Sequence, residues 1–114
     1  MSCVIVQGYI DFEGKDVNAI LAAARDFIEI VYDEPGCIHY VWTADPFMPG
    51  RMWVYEEWES VETLAAHLVA DSYYKMSGHL AASGLTGASV HKYRIDVKQP
   101  VYDETGVARA EFSA

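Results

Sequence analysis

The chain opens on an alternating pattern. In CVIVQGYIDF, residues 3–12, Cys3, Ile5 and Tyr9 occupy one set of positions and Val4, Val6, Ile10 and Phe12 the other. β-Branched and aromatic residues at this spacing predict a strand, and apolar side chains on both sets predict cover on both sides. The period then changes. Over residues 16–33, Val17, Ile20, Leu21, Ala24, Phe27, Ile28 and Val31 recur at intervals of three and four, with Asn18, Arg25, Glu29 and Asp33 on the other side. That is one apolar face of a helix. It ends at Asp33-Glu34-Pro35-Gly36, because proline disfavours helix at the residue before it and glycine supplies a turn.

Two strands follow, CIHYVWTAD (37–45) and RMWVYEEWE (51–59), joined by a hairpin marked by Pro46, Pro49 and Gly50. Met52, Val54, Glu56 and Trp58 share one face of the second; Arg51, Trp53, Tyr55, Glu57 and Glu59 share the other. Ser60 caps a short helix striped by Val61, Leu64, Ala65 and Leu68. Another helix opens near Asp71 and runs to about Ser83, stopping at Gly84. ASVHKYRIDV, residues 88–97, alternates as a fourth strand ended by Pro100, and a further short strand is expected near Val107–Phe112.

The order β-α-β-β-α-β predicts an α+β, ferredoxin-like domain over residues 1–98; the C-terminal tail over 99–114 either packs on a partner subunit or stays on its own. Its sheet has four antiparallel strands in the order 4-1-3-2, with helices on one face. The strands are nevertheless apolar on both faces, and the bare one carries some of Trp42, Trp53, Tyr40 and Tyr55. A symmetric partner pressing sheet on sheet would cover such a patch, so the expectation is a homodimer, a dimeric α+β barrel. Cys3 and Cys37 fall on strands that are not neighbours, which favours reduced thiols.

Composition narrows the function classes. The 114 residues carry 8 Lys and Arg against 17 Asp and Glu, a net charge of −9. A nucleic-acid or anionic-membrane partner is not expected, since phosphate binding needs a basic footprint. No run of 18 apolar residues exists to span a bilayer. The N-terminal segment has no Lys or Arg before Lys15 and is interrupted by Gln7, Gly8 and Asp11, so it reads as a strand rather than a signal peptide. A cytoplasmic location is the resulting expectation.

Several side chains could carry chemistry. His67, in LAAHL, would face a cavity between helix and sheet as a general base, or cap a core edge. Glu56 is unusual on an apolar face: it either pairs with Arg94, Lys92 or His91 on another strand or serves as a base or anchor. Gln7 interrupts an apolar strand, and its amide must bond a neighbour or orient a substrate hydroxyl. Tyr73 and His79 are candidates for lining the cavity. His39 and His91 read as structural. Neither HxxxH nor CxxC spacing occurs, so no metal site is expected.

The run EPGCIHYVWTADPFMPGRMWVYEEWESVETLAAHL, residues 34–68, resembles the antibiotic biosynthesis monooxygenase family. The shared features are Glu34-Pro35-Gly36-Cys37, Tyr40, Asp45-Pro46, the Tyr55–Ser60 strand end and His67. The resemblance implies a small dimeric ferredoxin-like protein that oxidises a phenol or hydroquinone with O₂ and uses no cofactor. It implies Trp58 as a cavity-lining donor and supports His67 as the base; the reading of the residues themselves adds Gln7 as a second donor and Glu56, Tyr73 and His79 as substrate-binding. A heme-degrading branch of the family uses an Asn and a His that would fall on Gln7 and near Ser77, and neither residue type is kept. Two rival functions share the same cavity: a binding protein for aromatic ligands without turnover, and a cofactor-free isomerase or decarboxylase using His67 and Glu56.

Overall fold

The structure, a computed structural model, describes residues 3–113. Its sheet comprises β1 (Cys3–Asp11), β2 (Cys37–Ala44), β3 (Arg51–Trp58) and β4 (Gly87–Ile95), all antiparallel, in the order β2-β3-β1-β4. This is the expected ferredoxin-like α+β arrangement. Helices α1 (Val17–Ala23), α2 (Arg25–Glu29), α3 (Val61–Leu68) and α4 (Asp71–Ala82) supply the cover.

Strand parity decides which side chains meet the helices. Val4, Val6 and Ile10 on β1 share a face with Tyr40 and Trp42 on β2 and with Met52, Val54, Glu56 and Trp58 on β3. The core lies there, with Phe12, Ala24, Val31, Met52 and Trp58 fully buried. Trp53 and Tyr55 stand on the open face, as the sequence allows. Tyr40 and Trp42 do not: both turn toward the helices and pack in the core. On the open face Tyr9 packs edge-on to Trp53, with the Arg51 guanidinium 3.6 Å from the Tyr9 ring centre. Val41 and Tyr93 stay exposed there.

Two expectations change in detail. The helical stretch 16–33 is not continuous: it tightens at the buried Ala24 and finishes as a 3₁₀ turn over Ile30–Asp33. The small Ala24 side chain lets this break sit on the sheet, and both halves keep their apolar residues on it. In the tail, the strand expected near Val107–Phe112 reduces to one bridge between Tyr102 and Ala108. An Asp103 carboxylate there accepts bonds from Thr105, Val107 and Arg109.

Two glycines fix geometry that matters below. A Cβ on Gly8 would lie 2.0 Å from the Ser89 carbonyl oxygen, so only glycine lets β4 approach β1 this closely. Gly36 has φ +77, and a Cβ there would collide with Thr63 at 2.4 Å. The turn Glu34–Gly36 is thereby pressed against the start of α3, where Ser60 and Thr63 form a reciprocal cap. No helix among the described residues is long and apolar enough to cross a membrane.

Candidate functional site

The α3 stripe places Leu64 in the core and His67 beside it, one turn on. His67 is 2% exposed. Its imidazole is boxed by three aromatic rings: Trp58 stacks on it at 4.7 Å between centres, while Tyr40 and Tyr73 meet it edge-on at 5.5 and 5.7 Å. A buried imidazole needs partners for both nitrogens. Nδ1 lies 2.7 Å from Glu34 Oε1, and the Ser72 hydroxyl donates to Glu34 Oε2 at 2.6 Å. Nε2 lies 3.9 Å from Glu56 Oε1. Glu34 therefore holds the ring from the turn side, and Nε2 is directed toward Glu56. The two carboxylates flank opposite edges of one imidazole, so the three groups do not converge on a common point as a metal centre would. No cluster of three ligating side chains exists among the described residues.

Glu56 is 7% exposed. Its Oε1 accepts the Trp58 indole N–H at 2.9 Å. Burial raises its carboxyl above the ordinary range; the Trp58 N–H and the nearby imidazole oppose this, and Glu34 adds to it. Burial likewise pushes the Tyr40 phenol up, and the Cys37 thiol.

These groups form one end of a cavity of about 530 Å³ between sheet and helices. Val6, Ile10 and Val54 floor it; Leu64, Met76 and Leu80 roof it. Glu56, His67, Tyr40, Trp42 and Tyr73 supply the polar edges at that end, and Lys92 of β4 lines the other. The volume suits a ligand of one or two rings.

Of the six side chains expected here, Glu56, His67 and Tyr73 come together on the cavity wall. Trp58 is in contact but differently placed: it is fully buried beneath His67, and its only donor is spent on Glu56. Gln7 is not in the cavity. Register pairs it with Tyr55 and His91, on the open face of β1. The parity of β1 carries this signal, since Gln7 falls in the set of Cys3, Ile5 and Tyr9. His79 is also elsewhere: its Nε2 bonds the Ile20 carbonyl at 2.8 Å and its ring meets Phe27, tying α4 to the first helical segment. The alternative partners considered for Glu56 on another strand do not pair with it; its contacts are Trp58 and His67.

Three functional neighbours lie outside the sequence reading. Glu34 belongs to a turn 33 residues from His67, and no local spacing joins them. Ser72 is fixed only through Glu34. Trp42 lines the cavity with a buried indole N–H that has no protein partner among the described residues.

A mostly apolar chamber, with His67 and Glu56 buried side by side at one end, is thus carried on a ferredoxin-like sheet. The antibiotic biosynthesis monooxygenase family matches residues 3–77, and the chain belongs to that family. Solved structures agree on the fold. A candidate antibiotic biosynthesis monooxygenase from Deinococcus radiodurans is 17% identical, with 88% of this chain and 99% of that one covered and a TM-score of 0.77. A second such candidate from Nitrosomonas europaea is 20% identical, covering 80% and 88%, with a TM-score of 0.71. A conserved protein from Methanosarcina mazei is 20% identical, covering 82% and 92%, with a TM-score of 0.72. A search of curated proteins finds no sequence match.

Proposed function

We propose that the protein is a monooxygenase that oxidises a small phenol or hydroquinone with O₂ and needs no cofactor. The observation that carries this reading is the Glu34–His67–Glu56 array, with His67 and Glu56 buried, at the end of a mostly apolar cavity. Family membership supports the general monooxygenase-like role; the substrate and the steps are our reading.

Such a reaction starts by removing a phenolic proton, because the anion gives an electron to O₂ far more readily than the neutral phenol. A phenol titrates near pH 10 and an ordinary histidine near 6.5, a gap of about 3.5 units or roughly 5 kcal/mol. His67 alone does not close it. Burial makes Glu56 a stronger proton acceptor than an ordinary carboxylate, which narrows the gap from the other side. Glu34 holds His67 with Nε2 toward Glu56, so a proton taken at Glu56 has a second acceptor 3.9 Å away. The buried Trp42 N–H, beside the Tyr40 hydroxyl, is a donor for a substrate oxygen. For a phenol with an open para carbon the balance is phenol plus O₂ to para-quinone plus water. One oxygen atom bonds to the ring carbon, the other leaves as water, and that carbon and the hydroxyl give up their protons.

The same reading pairs two copies through the open sheet face, where Val41 and Tyr93 are exposed beside Tyr9 and Trp53, with the tail crossing to the partner. Cytoplasmic residence accords with the free thiols Cys3 and Cys37, which stand on strands separated by β3.

The test is O₂ consumption with a panel of phenols and hydroquinones in chelator-treated buffer. Wild type should consume O₂ above the blank, His67→Ala should abolish it, and Glu34→Gln should lower kcat about tenfold or more with little change in KM. Wild type matching the blank across the panel overturns the reading. If aromatic ligands bind without turnover, the chamber belongs to a binding protein instead.

A further inference from the structure

We infer that the natural substrate is an anionic aromatic, a phenol bearing a carboxylate, whose acid group is held by Lys92 and Arg94 on β4. The inference deepens the reading above and rests on it.

The observation is where positive charge is left over. The chain has eight Lys and Arg side chains among 17 carboxylates. Five are committed to ion pairs: Arg25 with Glu29, Arg51 with Asp11, Lys75 with Asp71, Lys98 with Glu57 and Arg109 with Asp103. Lys15, Lys92 and Arg94 have no carboxylate partner among the described residues. Two of these three stand on the same face of one strand, two residues apart, and Lys92 lines the cavity. In a chain so rich in acids, an uncommitted cation on a cavity wall with a second beside it on the same strand face is the arrangement that an anionic ligand would complete.

Register sets the span. Val6 on β1 pairs with Glu56 on one side and with Lys92 on the other. Glu56 and Lys92 thus stand in one row across the cavity floor, two strand spacings or about 9.5 Å apart along the sheet. A ring lying over Val6 with its hydroxyl at Glu56 points its far substituent at Lys92. Arg94, level with Val4 in the next row of that face, stands beside Lys92 just outside the cavity lining. The floor between the two ends is apolar at Val6, Ile10 and Val54, so a ring bridges them while a charge lying on it would not be tolerated. The negative charge of Glu34 and Glu56 also repels a carboxylate from the deep end, which fixes one orientation.

The test compares ligands that differ only in charge. Para-hydroxybenzoate and a hydroxynaphthoate are titrated calorimetrically against their neutral carboxamides, which keep the shape. Wild type should bind the carboxylates about tenfold tighter than the amides, and the preference should shrink with added salt. Lys92→Gln with Arg94→Gln should erase the preference of acid over amide. Both side chains are exposed, so circular dichroism should show the folded variant. Equal affinity for acid and amide in wild type, or a preference that survives the double substitution, overturns the inference and leaves the phenol cavity standing. Binding of neither ligand type overturns the phenol cavity itself, and the inference falls with it.

Discussion

Replacing Glu56 by glutamine should stabilise the protein at neutral pH and silence its chemistry. Glu56 is 7% exposed and its carboxyl is raised above the ordinary range, chiefly by burial. The sign follows from linkage. Between the ordinary carboxylate value and the higher folded one, the folded state holds a proton that the unfolded chain has released. Stability therefore falls as pH rises through that window, with a slope of at most about 1.4 kcal/mol per pH unit, and levels off above it. In the Glu56→Gln variant the amide keeps an oxygen to accept the Trp58 N–H, a bond of 2.9 Å in the native protein, and it matches the protonated acid in shape. The two proteins should be equally stable near pH 4, and the variant should gain steadily as pH rises. Each kcal/mol corresponds to about 4 °C in Tm for a chain of this size. The assay is urea unfolding followed by tryptophan fluorescence at fixed ionic strength and fixed protomer concentration, from pH 4 to 8. A variant that is less stable than wild type by the same amount at every pH would refute the reasoning. It would show that folding does not raise the Glu56 carboxyl. O₂ consumption by the same variant should fall at least a hundredfold, which would tie the stability cost of Glu56 to its use.

Trp58→Phe removes both the stack on His67 and the donor to Glu56, and should cost about 2–3 kcal/mol while moving the pH-dependent loss of stability to higher pH. Urea unfolding at several pH values checks both parts. Gln7→Ala and His79→Ala should leave kcat within about twofold of wild type, because neither side chain reaches the cavity; His79→Ala should lose about 1 kcal/mol with its bond to the Ile20 carbonyl. Val41→Glu combined with Tyr93→Glu places carboxylates on the open sheet face and should turn a dimer into monomers by sedimentation; an unchanged sedimentation coefficient would remove that face from the interface.

What the chain reveals about itself follows the range over which each signal acts. Element type and strand order are local or nearly so: period two, period three to four, a Pro-Gly turn and a Ser cap suffice to lay out β1 to β4 and the helices between them. Parity extends this to faces, and it already separates Gln7 from Val6 and Ile10. Taking Gln7 for a cavity donor set its chemistry above its parity, and the register with Tyr55 and His91 follows the parity. Trp58 shows a further limit. Its face was legible beside Glu56, but the indole N–H could serve a ligand only if no carboxylate reached it first, and Glu56 two residues away does. Glu34 marks where pattern stops. As a residue before proline it announces only the end of a helix. Its carboxylate reaches His67 because Gly36, at φ +77, folds the turn onto Thr63 and so against α3. The acid–base pair is thus a product of tertiary contact between a turn and a helix 33 residues apart. The same holds for Lys92 and Glu56, which become opposite ends of one row only when β1 lies between them. The groups gathered at this cavity meet through turn-to-helix contact and through strand order, so sequence names them singly and the fold assembles them.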